Sequence, residues 1–204
     1  MDALVQLARS EPALPDNTCH NFYFLRHGQT ARNAARVFQS RDEPLDGMGQ
    51  QQVRTAAQRL AQEPIRSVLA SDVLRAAQTA STVAHALGHP WQPHVGLRER
   101  HFGALIGTSS AQLDWACAPE GGETLNTFVQ RSCSALAEAL AQPAPVLLVA
   151  HGGTLLVLAA WLDVALPPGA MGNAQPLHFT RSGAGWQAQR LLATAGQPSP
   201  SNLA

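Results

Sequence analysis

The chain has 204 residues, of which 45% are apolar and only 14% are charged, so it is long and hydrophobic enough to fold around one sizeable core. Its formal net charge is zero, which argues against a nucleic-acid binder with a broad basic face. All 14 basic residues are arginines, and the absence of lysine excludes a P-loop, Schiff-base or pyridoxal-phosphate lysine. Any chemistry on a phosphate group must therefore use arginine, histidine and backbone amides.

Cysteine content and the N-terminal stretch bear on the compartment. The three cysteines, Cys19, Cys117 and Cys133, are odd in number and widely spaced, which is typical of reduced thiols. The N-terminal stretch has no basic region and too short an apolar run for a signal peptide, and no run of about 18 apolar residues predicts a membrane span. The sequence therefore predicts a cytoplasmic protein without a nucleic-acid or membrane partner, and no pattern in it indicates the oligomeric state.

In chain order, the sequence predicts an N-terminal extension at 1–20 with a short helical turn and prolines, a single domain at 21–195 and a flexible tail at 196–204. Short apolar runs predict strands at 22–25, 65–70, 145–150, 176–180 and 186–192. Amphipathic stretches predict helices at 47–62, 72–88, 124–141 and 154–163. This alternation is typical of a three-layer α/β/α fold with a mostly parallel, mixed central sheet, in which a short turn makes one of the last two strands antiparallel.

Chemically active side chains follow three of these predicted strands. The first strand ends in Arg-His-Gly at 26–28, the second is followed by Ser-Asp and by Arg75 one turn into the next helix, and the third ends in His-Gly-Gly at 151–153. Ligands of open α/β sheets bind at the carboxyl ends of the strands. We therefore expect two histidines and two arginines to converge at one edge of the sheet.

This set of residues suits phosphoryl transfer. A neutral imidazole such as that of His27 is a good nucleophile, and its attack on phosphorus would form a phosphohistidine. Arginine forks at Arg26 and Arg75 bind phosphoryl oxygens, and His151 at a helix N-terminus adds donors where negative charge is favoured. Glu99, in a loop expected near the same edge, is a candidate acid for the leaving alkoxide. We find no metal-ligand spacing among the histidines and no cofactor motif, so we predict a reaction without metal or cofactor.

The chain resembles the histidine phosphatase superfamily, also called the phosphoglycerate mutase-like family. The stretches that carry the resemblance are FLRHGQTARN (24–33), PLDGMGQQQ (44–52), LASDVLRAAQTA (69–80), LRERHFG (97–103), PEGGET (119–124) and VAHGG (149–153). They occur in the order that the family shows and span roughly residues 22–190. The resemblance implies that His27 is the phosphorylated nucleophile and Glu99 the proton donor. It implies that Arg26, Arg75 and His151 complete the phosphate pocket.

The resemblance and the loop composition also indicate contacts with the substrate. Asn33 matches a position that touches the phosphate, and Gln39 matches a substrate-side position common among the phosphatases of the family. The residues that we expect to bind substrate are Gly28, Thr30, Asn33, Gln39, Ser40, His101 and Gly152. The family often has glycine where this chain has Ser40, and the ALIGTSS stretch after HFG departs from its usual sequence, so the substrate itself stays open.

The length of the segment between the Glu99 motif and PEGGET favours the phosphatase branch of the family. Mutases of this pattern carry a long, basic insertion there, whereas this chain has only ALIGTSSAQLDWACA. The prediction is a metal-independent hydrolase whose partner is a small phosphate ester, cleaved through a phosphohistidine. ERHFG resembles the mutases, so mutase-type phosphoryl transfer is the alternative. A phosphatase acting on phosphorylated proteins and a non-catalytic phosphate-binding protein are the other hypotheses.

Overall fold

A six-stranded mixed sheet forms the centre of the computed structural model, which describes residues 1–15 and 19–192. The strands are β1 (Asn21–Arg26), β2 (Ser67–Ala70), β3 (Trp91–Pro93), β4 (Val146–Ala150), β5 (Pro176–Ser182) and β6 (Gly185–Arg190). They lie in the order β3-β2-β4-β1-β5-β6, in which the first four are parallel and β5 pairs antiparallel with both β1 and β6. The predicted mostly parallel sheet with an antiparallel strand near the chain end is confirmed. The predicted tail at 196–204 lies outside the described residues.

Helices cover both faces of the sheet. They are α1 (Asp2–Ser10), α2 (Ala31–Ala34), α3 (Gly47–Leu60), α4 (Leu74–Leu87), α5 (Leu125–Leu140) and α6 (Gly152–Trp161). Apolar side chains of α3 and α4 pack on one face, and those of α5 and α6 pack on the other. The three-layer α/β/α architecture is therefore confirmed. None of the helices in the described part of the chain is long and apolar enough to cross a membrane.

The central strands are apolar on both faces because helices cover both sides. In β1, Phe22 and Phe24 join the core beneath α5 and α6, whereas Tyr23 and Leu25 join the core beneath α3 and α4. Every residue of β4 is buried. Strands buried in this way carry continuous apolar runs rather than alternating ones, which is why the sequence made β1 and β4 easy to recognise.

Helix α1 and strand β3 are among the elements that differ from the prediction. The N-terminal stretch is predicted to hold only a short helical turn, but α1 runs over nine residues and buries Leu4 and Ala8 against α5 and α6. Their spacing of four residues places both side chains on one helix face, which gives α1 an apolar seam to bury. Strand β3 was not predicted, because three residues that end in Pro93 give too short a pattern and proline is confined to sheet edges.

The segment from β3 to α5 folds over the carboxyl ends of the parallel strands. Arg100 holds it together by donating to the carbonyls of Trp115, Cys117 and Glu123, at 2.7 Å in the case of Trp115. Phe102 packs on Phe38 of the opposite wall with ring centroids 4.4 Å apart. This segment and the loop after α2 thus form the two walls of a cleft above the sheet edge.

Candidate active site

A cleft of about 720 Å³ opens at the carboxyl ends of β1, β2 and β4. Its lining includes eight arginines and only two acidic residues, although the net charge of the whole chain is zero. The site is therefore strongly cationic while the protein is not. Such a cleft attracts a small anion.

His27 follows β1 at the floor of the cleft and is only 2% exposed. Its Nδ1 lies 2.7 Å from the carbonyl oxygen of Gly28, and because a carbonyl can only accept, Nδ1 carries the proton. The lone pair is then on Nε2, which accepts a hydrogen bond from Nε of Arg75 at 3.2 Å. The local backbone thus selects the tautomer in which Nε2 is the nucleophilic atom.

The surroundings also set the charge of His27. Burial, followed by the positive charges of Arg75 and Arg26, lowers the pKa of His27 well below its ordinary value of 6.5. The imidazole is therefore neutral at neutral pH. A neutral ring keeps the lone pair that an attack on phosphorus requires.

Arg75 and Arg26 place two guanidinium groups beside this imidazole. Arg75 is 4% exposed, and its Nη1 donates to the carbonyl of Ser40 at 2.8 Å. Burial lowers the pKa of Arg75 to about 10 and lowers that of Arg26 as well. Arg26 donates through Nη1 to the carbonyl of Met171, and its buried Nε has no hydrogen-bond partner in the described chain. Both side chains are cations at neutral pH, held by contacts to backbone carbonyls.

His151 lies beside His27, with ring centroids 5.2 Å apart. It occupies the N-cap position of α6, where its side chain makes no capping hydrogen bond. Its Nε2 is 2.8 Å from the hydroxyl of Ser71, which also accepts from the amide of Val73. A hydroxyl both donates and accepts, so the contact with Ser71 is compatible with either neutral tautomer of His151. The Nδ1 of His151 is buried and has no partner within residues 1–15 and 19–192. Burial lowers the pKa of His151 well below 6.5.

Glu99 projects from the loop of the opposite wall to the start of α6. Its Oε2 accepts from the amide of Gly153 at 2.8 Å, and its Oε1 accepts from the amide of Arg100 at 3.0 Å. A Cβ at position 153 would lie 2.2 Å from Oε1 of Glu99, so only glycine permits this approach. The structure therefore brings the predicted acid into the same cleft as His27.

The predicted substrate-binding residues divide into two groups. Asn33, Gln39, Ser40 and His101 line the cleft. The other three, Gly28, Thr30 and Gly152, are not among its lining residues.

These three residues have structural contacts that account for them. A Cβ at Gly28 would lie 2.7 Å from the carbonyl oxygen of Gly49, so glycine there allows β1 to approach α3. Thr30 caps α2 and donates to Oε1 of Gln39 at 2.7 Å. Gly152 starts α6 next to Arg26. Their place in the sequence motif reflects packing at least as much as any contact with substrate.

Asn173, which lies between α6 and β5 in the chain and whose side chain bridges His27 and Asn33, was not identified from the sequence. Its side-chain amide donates to the carbonyl of His27 at 3.0 Å and to Oδ1 of Asn33 at 3.2 Å. The signal was weak because Asn173 is 146 residues from His27 in sequence and sits in an irregular stretch. Asn173 fixes the turn that carries the nucleophile.

Comparison with known proteins identifies the class. The family model of the histidine phosphatase superfamily (branch 1) matches residues 22–193. The glucosyl-3-phosphoglycerate phosphatase of Mycolicibacterium vanbaalenii is 34% identical over 179 residues, which cover 74% of this chain and 79% of that protein. A protein of Yersinia enterocolitica named probable phosphoglycerate mutase GpmB is 32% identical over 171 residues, covering 72% of this chain and 76% of its own.

Solved structures agree. A mycobacterial glucosyl-3-phosphoglycerate phosphatase in complex with VO3 superposes with a TM-score of 0.70 at 28% identity, over 87% of this chain and all of that one. The chain belongs to the histidine phosphatase superfamily, branch 1. Within that superfamily it is a hydrolase of the phosphomonoesterase type, as the sequence predicted.

Proposed function

We propose that this phosphomonoesterase cleaves a small phosphate ester with His27 as the nucleophile and Glu99 as the proton donor. The observation that carries the proposal is the state of His27: neutral, protonated on Nδ1, with Nε2 facing the cleft-lining Arg75 at 3.2 Å. A purely structural histidine gains nothing from a position between two buried cations. A nucleophile that receives a phosphoryl dianion does.

In the first step, Nε2 of His27 attacks phosphorus, the N–P bond forms and the P–O bond to the alkoxide breaks. Protonated Glu99 gives its proton to the leaving oxygen, and the alcohol departs. In the second step, water attacks the phosphoryl group, Glu99 takes the proton of that water, and the N–P bond breaks to release phosphate. The two halves use one residue first as acid and then as base.

The remaining charged and polar groups stabilise the phosphoryl oxygens. The predicted role of His151 in the phosphate pocket stays a prediction, because this side chain is fully buried and is not among the cleft-lining residues, whereas Arg26 and Arg75 line the cleft with planar guanidinium forks. Preorganised donors of this kind lower the transition-state energy because they need no rearrangement during the reaction. The rest of the substrate would contact Asn33, Gln39, Ser40 and His101.

The cytoplasmic location of the protein remains a prediction.

Mutase-type transfer is the second candidate, because several relatives, that of Yersinia enterocolitica among them, are named as probable phosphoglycerate mutases. This chain lacks the long, basic insertion that mutases of this pattern carry between the Glu99 motif and PEGGET, which favours hydrolysis. Hydrolysis is therefore the function that this cleft supports best.

The test is release of inorganic phosphate from a panel of phosphomonoesters, including p-nitrophenyl phosphate, in the presence of EDTA. We expect turnover that survives EDTA and is lost in His27→Asn. Equal activity of His27→Asn, or complete loss in EDTA with rescue by a divalent ion, would contradict the proposal. Interconversion of phosphoglycerates without net phosphate release would support the mutase instead, and binding without turnover would support a non-catalytic protein.

A further inference from the structure

The arginines that line the cleft differ in what holds them. Three are neutralised by a carboxylate: the pairs are Arg32 with Glu43 at 3.1 Å, Arg98 with Asp72, and Arg131 with Glu123 at 2.8 Å. Arg100 is committed to three backbone carbonyls. Arg26 and Arg75 flank His27 and serve the reacting phosphate. The remaining two arginines of the cleft lining are Arg36 and Arg41.

Arg36 and Arg41 are exposed at the cleft wall without a carboxylate of their own. Neither forms an ion pair or a side-chain hydrogen bond with any described residue. Arg41 interacts at longer range with Asp72, whose carboxylate is already bound on both oxygens by Arg98. Two uncompensated positive charges therefore face the cleft outside the catalytic centre.

The backbone conformation of Arg36 is a second observation about this wall of the cleft. Its φ is +53°, in the left-handed region that favours glycine over residues with a Cβ. The turn is fixed, since the Arg36 amide donates to the Asn33 carbonyl at 3.1 Å and its carbonyl accepts from Ser110 at 2.8 Å. Glycine fits this backbone without the strain that a Cβ causes, so Arg36→Gly removes the side chain while keeping the turn. Strained residues of this kind cluster at ligand sites.

The position of this wall relative to the phosphate follows from the chain. Ser40 accepts from Arg75 through its carbonyl, so Arg41 is adjacent to the catalytic centre. Arg36 lies five residues earlier, beside Ser110, and a five-residue extended segment spans at most about 18 Å. Both side chains line the cleft that has His27 among its lining residues, so they are within reach of a small metabolite whose phosphate lies at His27.

We infer that the substrate carries a second anionic group, a carboxylate or a further phosphate, which Arg36 binds together with Arg41. The inference rests on the proposed function, because it takes His27 as the site of the scissile phosphate. It assigns to the wall from Arg36 to Arg41 the selection of acidic phosphate esters over neutral ones. Planar guanidinium groups bind both carboxylates and phosphates. Arg36 and Arg41 therefore indicate that the second group of the substrate is anionic, but not which of the two it is.

Matched substrate pairs isolate the second group. D-3-Phosphoglycerate and glycerol 3-phosphate differ by a carboxylate close to the phosphate, and 6-phosphogluconate and glucose 6-phosphate differ by one further away. Fructose 1,6-bisphosphate and fructose 6-phosphate differ by a second phosphate. We expect the acidic member of at least one pair to have a kcat/KM higher by roughly tenfold, as one charge-assisted contact provides.

Variants then assign the preference to residues. Arg36→Gly suits the left-handed backbone and should fold with an unchanged or higher melting temperature, while the preference for the acidic ester falls by roughly tenfold. Arg41→Gln should lower the same ratio. Arg54→Gln removes an exposed arginine on α3, outside the cleft, and should leave both members unaffected.

The outcomes separate this inference from the proposed function. If wild type hydrolyses neutral and acidic esters equally in all three pairs, or keeps its preference in Arg36→Gly and in Arg41→Gln, the inference is wrong while the phosphatase stands. If wild type hydrolyses no ester in the panel, the proposed function fails first. A preference confined to the bisphosphate pair identifies the second group as a phosphate, and one confined to the acid pairs identifies a carboxylate.

Discussion

His27 is surrounded by groups that keep its imidazole neutral and its Nε2 unprotonated. The Gly28 carbonyl fixes the proton on Nδ1, and Arg75 with Arg26 lowers the pKa of the ring further than burial alone. The same two cations that disfavour imidazolium favour a phosphoryl dianion. Arg26 and Arg75 thus keep the nucleophile neutral and also supply the positive charge that stabilises the phosphohistidine.

Arg75 should act mainly on the transition state, because its guanidinium is buried and already aimed at Nε2 of His27. Arg75→Ala should lower kcat by roughly 10²–10³, and at least as much as it raises KM. Arg75→Lys keeps the charge but loses the fork, so it should recover only part of the rate. Steady-state kinetics measures kcat and KM of both variants. A change in KM alone would show that Arg75 binds the substrate and the transition state equally.

Glu99 is expected to protonate the leaving oxygen, so its effect should depend on the leaving group. In Glu99→Gln, the first turnover with an alkyl phosphate should slow by roughly 10²–10⁴, whereas p-nitrophenyl phosphate, whose phenolate leaves without help, should slow much less. The measurement is a rapid-mixing burst, because the later hydrolysis also uses Glu99. Equal losses on both substrates would mean that Glu99 positions groups without donating a proton.

At the scale of elements, the start of α6 is the point where the two walls of the site meet. Glu99 approaches the helix so closely that its carboxylate accepts from the amide of Gly153. The amide of Gly153 is one of the donors that a helix N-terminus leaves without an intrahelical partner, which explains why Glu99 from a distant loop is held there. The packing of this loop on α6 therefore sets the position of the predicted acid.

The two glycines of α6 provide a matched test of that packing. A Cβ at Gly153 would lie 2.2 Å from Glu99, but one at Gly152 would lie 3.4 Å from Met171 and 3.6 Å from Arg26, in ordinary contact. Gly153→Ala should displace Glu99 and lose most of the activity on alkyl phosphates, although alanine is the better helix former. Gly152→Ala should keep most of it. Similar activities of the two variants, measured beside melting temperatures, would show that the contact does not position Glu99.

At the scale of the whole molecule, the buried histidines His27 and His151 make the stability of the fold depend on pH. Their folded-state pKa values lie well below 6.5 because burial and nearby arginines disfavour the charged rings. Below pH 6.5 the unfolded chain takes up protons that the folded chain does not, so these groups stabilise the fold above that pH and lose their contribution as the pH falls.

Denaturant unfolding at several pH values tests this coupling. The free energy of unfolding should decrease as the pH falls below about 6.5. His151→Gln should flatten part of that slope, whereas His85→Gln, which removes an exposed histidine of α4, should leave it as it is. A slope that is identical in wild type and His151→Gln would contradict the buried neutral state of His151.

The sequence allowed the central sheet and most of the site to be predicted because both depend on local patterns. Apolar runs identified β1 and β4, and parallel strand ends must meet at one edge, which placed His27 near Arg75 and His151. The contact of Asn173 with His27 could not be predicted, since it is a single hydrogen bond between distant irregular segments. Nor could the reason for Gly28, whose missing side chain makes room for α3 rather than for a ligand.

The central claim is that a phosphoryl group passes through His27. Wild type is mixed with a labelled phosphomonoester, stopped in base, in which phosphohistidine is stable, and digested for mapping by mass spectrometry. The account predicts one phosphoryl group on the peptide that contains His27, lost on brief treatment with acid and absent from His27→Asn, whereas His151→Gln still becomes labelled. Phosphate release without label on His27, or label that persists in His27→Asn, would contradict it.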